Sequence, residues 1–228
     1  MKKIVIFGDS HTRCFSYIEN VIPVFLDSGR TTNLSNEHIK EVKNKILHLK
    51  NKLPNDEYIF FTFLGEPNVR YQLDNDWYVH KNKNFNYNGN INKEYLHNCI
   101  KNYLTLYEEL NFISYVITPT TAYGPSIKSL IYFNKKLKQN FSERVIDIFS
   151  DTIKDDKIIE SYKSPNFKYD PIHLNSNITN IFFKKLIDKN VINDNELAKF
   201  KRNKDIIYPN DVKNIFEKNK FGTFNIKK

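Results

Sequence analysis

Lys2-Lys3-Ile4-Val5-Ile6-Phe7-Gly8-Asp9-Ser10-His11-Thr12 is the stretch from which the rest of the chain can be read. Its apolar, β-branched run predicts a buried strand, and Gly8-Asp9 breaks that strand at once into a tight turn that carries Ser10. Far downstream, Asp170-Pro171-Ile172-His173 sets a carboxylate three residues before an imidazole in a turn-like setting. A serine hydroxyl is a weak nucleophile at neutral pH and needs a base. That base in turn needs a group that fixes its tautomer and stabilises the imidazolium. Residues of all three kinds are present, so Ser10, His173 and Asp170 are the candidates for nucleophile, base and orienting acid. Asp9 is better suited to bonding the amides of the turn and holding Ser10 in place.

Outward from this turn, strands alternate with helices. Strands are expected over residues 3–7, 21–26, 57–64, 112–118 and 145–149. Helices are expected over 11–19, 36–52, 93–110, 126–141 and 177–188. In the second of these, Ile39, Val42, Ile46 and Leu49 recur at three- and four-residue intervals. Residues 74–92 lack helical period and read as a loop insertion, and 151–169 as mostly irregular. The alternation predicts an α/β protein, a three-layer α/β/α sandwich around a five-stranded, mostly parallel sheet. Right-handed crossovers place the C-terminal ends of all strands on one edge. Ser10, Gly29, Asn68 and Pro119 all follow strands and therefore gather there, where ligands bind in such sheets. The expected organisation is one domain over residues 1–188 and a basic, helical, peripheral extension over 189–228, with short helices at 195–202 and 210–220.

Composition sets bounds on function. At 228 residues, 40% hydrophobic with 18 Phe and 14 Tyr, the chain can build one sizeable core. The net charge of +9 fits an anionic partner, but the lysines are interspersed with acids and form no arginine-rich stripe, so no nucleic acid is expected. Cys14 and Cys99 have neither metal-ligand spacing nor the pattern of a disulfide framework, and neither a metal nor another cofactor is expected. No run approaches a membrane span, and the N-terminal apolar run is too short for a signal peptide, which makes a cytoplasmic protein the expectation.

Gly8-Asp9-Ser10 and Asp170-x-x-His173 together resemble the SGNH (GDSL-type) hydrolase family. Two landmarks fall between them in the expected order. Asp27-Ser28-Gly29-Arg30-Thr31-Thr32 resembles the block whose glycine amide, here that of Gly29, lines the oxyanion hole. Gly65-Glu66-Pro67-Asn68-Val69-Arg70 resembles the block that supplies an oxyanion-hole asparagine, here Asn68. The common form of that third block is Gly-x-Asn-Asp. Here Gly65 and Asn68 are separated by two residues, and Val69 stands where the second acid would be. This form looks more like a subgroup associated with surface-polysaccharide synthesis, in which an aspartate often occupies the position of Asn68. The resemblance spans roughly residues 2–187. It implies a flavodoxin-like fold, a Ser10-His173-Asp170 triad, and an oxyanion hole formed by the Ser10 and Gly29 amides with Asn68.

Other residues stay open between roles. His11 either supports the site or touches substrate, or it is an exposed first-turn histidine. Glu66 and Arg70 are both candidates to touch substrate, Arg70 by binding a carboxylate or phosphate; the alternative is that Arg70 pairs with Glu66 or Asp74 to brace its loop. Trp77 and Tyr78, with His80, either offer aromatic faces to a sugar ring or form a small core beneath their loop. The leading expectation is an esterase or deacylase that removes a small acyl group, such as acetyl, from a carbohydrate or related polar molecule. Transfer of that acyl group to a sugar hydroxyl would use the same site. The rival is a glycan-binding or assembly protein that keeps the fold without turnover. A metallophosphoesterase shares the Asp9-x-His11 element, but its further Gly-Asp-x-x-Asp and Gly-Asn-His elements are missing from the sequence. Oligomeric state is not legible.

Overall fold

In the computed structural model, which describes residues 2–26, 34–53, 57–71, 91–121, 123–164 and 173–202, the opening apolar run forms β1 (Lys3–Gly8), buried from Ile4 onward. It lies between β2 (Val21–Phe25) and β3 (Tyr58–Phe63), both parallel to it. β4 (Ile113–Ile117) and β5 (Val145–Ile146) extend the sheet in the order β2-β1-β3-β4-β5, again in parallel. This is the doubly wound, flavodoxin-like order, with a switch point between β1 and β3. Pro23 lacks an N–H and lies in β2, an edge strand with one ladder unpaired.

Six helices are described: α1 (Ile39–Lys50), α2 (Glu66–Tyr71), α3 (Lys93–Glu109), α4 (Ile127–Phe141), α5 (Ile178–Asp188) and α6 (Asp194–Leu197). The period of two along β3 divides the core between both faces of the sheet. Phe61 meets Phe182 of α5 at 5.4 Å between ring centroids, and Phe15 packs on Phe182 at 4.9 Å and on Phe63 at 6.3 Å. On the opposite face, Thr62 accepts a 2.8 Å hydrogen bond from the Tyr103 hydroxyl of α3, and the Tyr103 ring packs on Phe141 of α4.

Several local expectations change. The segment after β1 is a 3-10 turn, Ser10–Phe15, in place of a helix over 11–19. Only 12 residues separate the end of β1 from the start of β2, too few for a full helix and the return. β5 pairs over two residues where five were expected. The amides of Ile148 and Phe149 donate to the Thr118 hydroxyl, at 3.0 and 3.1 Å, instead of extending the ladder. Within 151–169 there is a hairpin of β6 (Ile153–Lys154) and β7 (Lys157–Ile158). It turns at Asp155-Asp156, both at positive φ, the conformation that two-residue hairpin turns require.

Beyond α5 the chain packs back on the domain. Phe200 lies 5.1 Å from Phe183, Ile192 and Phe200 are buried, and the Lys201 carbonyl accepts from the Glu19 amide. α6 spans only Asp194–Leu197 and is started by a reciprocal Asn193/Glu196 capping box. The expected loop at 74–92 and helix at 210–220 lie outside the described residues, apart from Ile91 and Asn92. No described helix is long and apolar enough to cross a membrane.

Candidate active site

The turn after β1 is built by backbone approach and a side-chain cap. A Cβ on Gly8 would collide with the Phe63 carbonyl and the Thr12 methyl, so only glycine lets β1 turn this close to β3. Asp9 caps the turn as its sequence position anticipates: its carboxylate accepts from the His11 amide at 2.9 Å. The Thr12 hydroxyl donates to the Asp9 carbonyl at 2.9 Å. Ser10 is thereby the first residue of the turn, where amides have no intrahelical acceptor.

His173 reaches the same edge from the segment before α5. Leu174 bridges to Lys163, and the Asn175 side chain donates to the carbonyls of Ser161 and Lys163 at 2.7 and 2.8 Å. These bonds fix the chain on the C-terminal side of the imidazole. The outcome is a 2.7 Å contact between His173 Nε2 and Ser10 Oγ. A ring nitrogen at that distance can take up the hydroxyl proton as the oxygen attacks an electrophile.

Behind this pair lies a buried set of charges. His11 Nδ1 is 3.0 Å from Asp9 Oδ1 and 4.0 Å from Glu66 Oε2. Glu66, 1% exposed, accepts a bidentate pair from Arg70 at 2.9 and 3.1 Å. Burial alone would drive His11 toward its neutral form; the Asp9 and Glu66 carboxylates outweigh it and hold its pKa above the ordinary value. Burial likewise opposes ionisation of Glu66, but Arg70 and then His11 overcome it and hold the carboxyl below its usual range. The His11 and His173 rings sit 4.8 Å apart between centroids, tilted by 41°.

Ser10, His11, Glu66, Asn68, Arg70 and His173 are thus placed. His11 is buried, which removes the exposed alternative, and Arg70 braces Glu66. Asn68 lies on α2, fully buried, and its side chain is engaged at three points. Oδ1 accepts from the Leu34 amide at 3.2 Å, and Nδ2 donates to Tyr95 Oη at 3.0 Å and Cys99 Sγ at 3.6 Å. Gly29, Trp77, Tyr78 and Asp170 lie outside the described residues. Cys14 is buried, and burial pushes its thiol well up, away from reactive thiolate. No metal-holding cluster of His, Cys, Asp or Glu occurs among the described residues. The Arg70–Glu66 pair is one of the alternatives the sequence offered. What sequence reasoning missed is α2, on which the two are neighbours at a spacing of four, and the union of that pair with Asp9 and His11 in one buried array.

No protein-family model and no curated protein matches the chain. Among solved structures it is similar to the crystal structure of a member of the lipolytic protein G-D-S-L family from Veillonella parvula DSM 2008. The likeness has 16% sequence identity and a TM-score of 0.50, and covers 82% of this chain and 97% of that one. At that identity it speaks to the fold: the parallel five-stranded sheet and its flanking helices are shared with a GDSL-type protein.

Proposed function

We propose that this GDSL-type fold carries a serine-dependent ester hydrolase that removes a small acyl group, such as acetyl, from a carbohydrate or related polar substrate. The 2.7 Å contact between Ser10 Oγ and His173 Nε2 carries the reading. Ser10 Oγ bonds to the acyl carbon as its proton passes to His173 Nε2. The tetrahedral intermediate then expels the alcohol, which leaves with that proton. Water attacks the acyl-enzyme with His173 again as base, and collapse frees the acid and restores Ser10. Asp170 is assigned the remote ring nitrogen of His173, where a carboxylate fixes the tautomer and stabilises the imidazolium.

The oxyanion is assigned to the backbone amides of Ser10 and Gly29, with Asn68 as third donor. Asn68 would serve by turning one amide hydrogen away from Cys99, a weak sulfur acceptor and its longest contact. Each such donor contributes about 2.7–4 kcal/mol to the transition state. Trp77 and Tyr78 are assigned to the sugar face of the substrate. The same acyl-enzyme would support transfer to a sugar hydroxyl in place of water.

One observation favours a second reading. The Asn68 side chain is already engaged with three scaffold groups, which suits a protein that kept the fold to bind a glycan without turnover. Hydrolysis of p-nitrophenyl acetate and of acetylated sugars by wild type, Ser10→Ala and His173→Gln separates the two. Turnover lost in both variants supports the esterase. Acetyl-sugar binding without turnover in any of the three proteins supports the binding protein.

A further inference from the structure

We propose that His11 is a positioning residue for His173: lodged between Asp9 and Glu66, it stands as an imidazolium against the His173 ring and keeps that ring turned to Ser10 in its neutral, proton-accepting form. The inference deepens the esterase reading and rests on it for the role of His173.

Charge balance argues first. Asp9, Glu66 and Arg70 alone leave one negative charge in a buried cluster, and an uncompensated buried charge is costly. Arg70 is engaged with Glu66 on both carboxylate oxygens, while His11 Nδ1 lies on Asp9 and within 4.0 Å of Glu66. Protonation of His11 brings these four groups to neutrality. The raised pKa of His11 agrees: burial opposes the charge, and the two carboxylates overcome it.

Geometry argues second. With 4.8 Å between ring centroids, two imidazoliums would repel strongly, so a charged His11 disfavours a second proton on His173. Among the described residues, Ser10 and His11 from the turn and Glu66 from α2 face His173, and the Glu66 carboxyl is itself lowered in part by His173. Glu66, backed by Arg70, favours a proton on His173, as Asp170 would in its assigned role. His11 opposes them and brings the base toward the working pH, where general-base catalysis is most effective.

One cost runs the other way. His11 Nε2 is buried and has no hydrogen-bond partner among the described residues, so its proton in the imidazolium has no acceptor there, a cost that the Asp9 and Glu66 carboxylates outweigh.

The test is histidine-specific NMR titration of the full chain, with its six histidines assigned through His11→Gln and His173→Gln, beside labelling by a fluorophosphonate probe. In wild type at neutral pH, His11 should be doubly protonated and His173 neutral. In His11→Gln the His173 midpoint should rise by about one pH unit, and labelling should slow several-fold at pH 6 with a smaller effect at pH 8. A neutral His11 in wild type at pH 7 overturns the proposal without any variant having to fold, and so does an unchanged His173 midpoint in His11→Gln. A wild type that resists the probe but shows both titrations as stated loses the esterase reading and keeps the histidine pair. Labelling with neither titration loses the pair and keeps the esterase.

Discussion

A hydroxyl and an imidazole nitrogen 163 residues apart in sequence meet at 2.7 Å, and the surrounding bonds explain why. Asp9 and Gly8 shape the turn under Ser10, and Asn175 ties down the segment after His173. Ser10→Ala is expected to bring ester hydrolysis to background, and His173→Gln to lower kcat by at least about 10^3-fold, both with unchanged melting temperature. Asp170→Asn is expected to lower kcat by roughly 10^3–10^4-fold with KM within a few-fold, since it favours the wrong tautomer of the base. Steady-state kinetics beside thermal melts checks all three. The meeting of Ser10 and His173 was legible in sequence because few residue types can pair a hydroxyl with an imidazole at the ends of strands. His11 was not, because its burial and its two carboxylate neighbours exist only once α2 folds against the turn.

α2 places Glu66 and Arg70 one helical turn apart, and it is preceded by Gly65, whose φ of +113° an L side chain rarely adopts. The carboxyl and imidazole it joins give opposite pH dependences. Glu66 has a folded pKa below its ordinary 4.5, so its contribution is present above that value and is lost as pH falls through the folded pKa. His11 has a folded pKa above 6.5, so its contribution is full below that value and is lost as pH rises through the folded pKa. Stability from this cluster should therefore be greatest between about pH 4.5 and 6.5. Glu66→Gln should flatten the decline on both sides, as followed by urea denaturation across pH 3.5–9. Most elements were legible from period and turn residues. β5 was overestimated because the Thr118 hydroxyl intercepts its amides, a tertiary contact without a local signature. The Asp155-Asp156 hairpin was missed because an Asp-Asp pair is a weaker turn signal than Asn-Gly or Asp-Gly.

Across the whole molecule, one aromatic cluster joins the sheet to the last long helix. Phe182 is fully buried and touches the rings of Phe15, Phe61 and Phe183. Phe182→Ala should cost about 3–5 kcal/mol of unfolding free energy, with a fall in activity only through lost folded protein, as denaturation and active-site titration would show. The positive charge is dispersed in exposed pairs such as Lys43–Glu109, Lys45–Glu41 and Lys189–Glu143, each worth little to stability. The doubly wound sheet was legible because alternation of strand and helix admits few topologies. The return of residues 189–202 onto the turn region was not, since its contacts are a few apolar residues and backbone bonds without a sequence period.

The most direct test of an activated Ser10 is covalent labelling of the folded full chain with a fluorophosphonate, read by intact mass and peptide mapping. The Ser10 oxygen should displace fluoride from phosphorus and leave a single adduct on Ser10. That adduct should be absent from Ser10→Ala and His173→Gln, and should form more slowly as acid protonates His173. A folded wild type that stays unmodified, or an adduct that maps elsewhere, would contradict it.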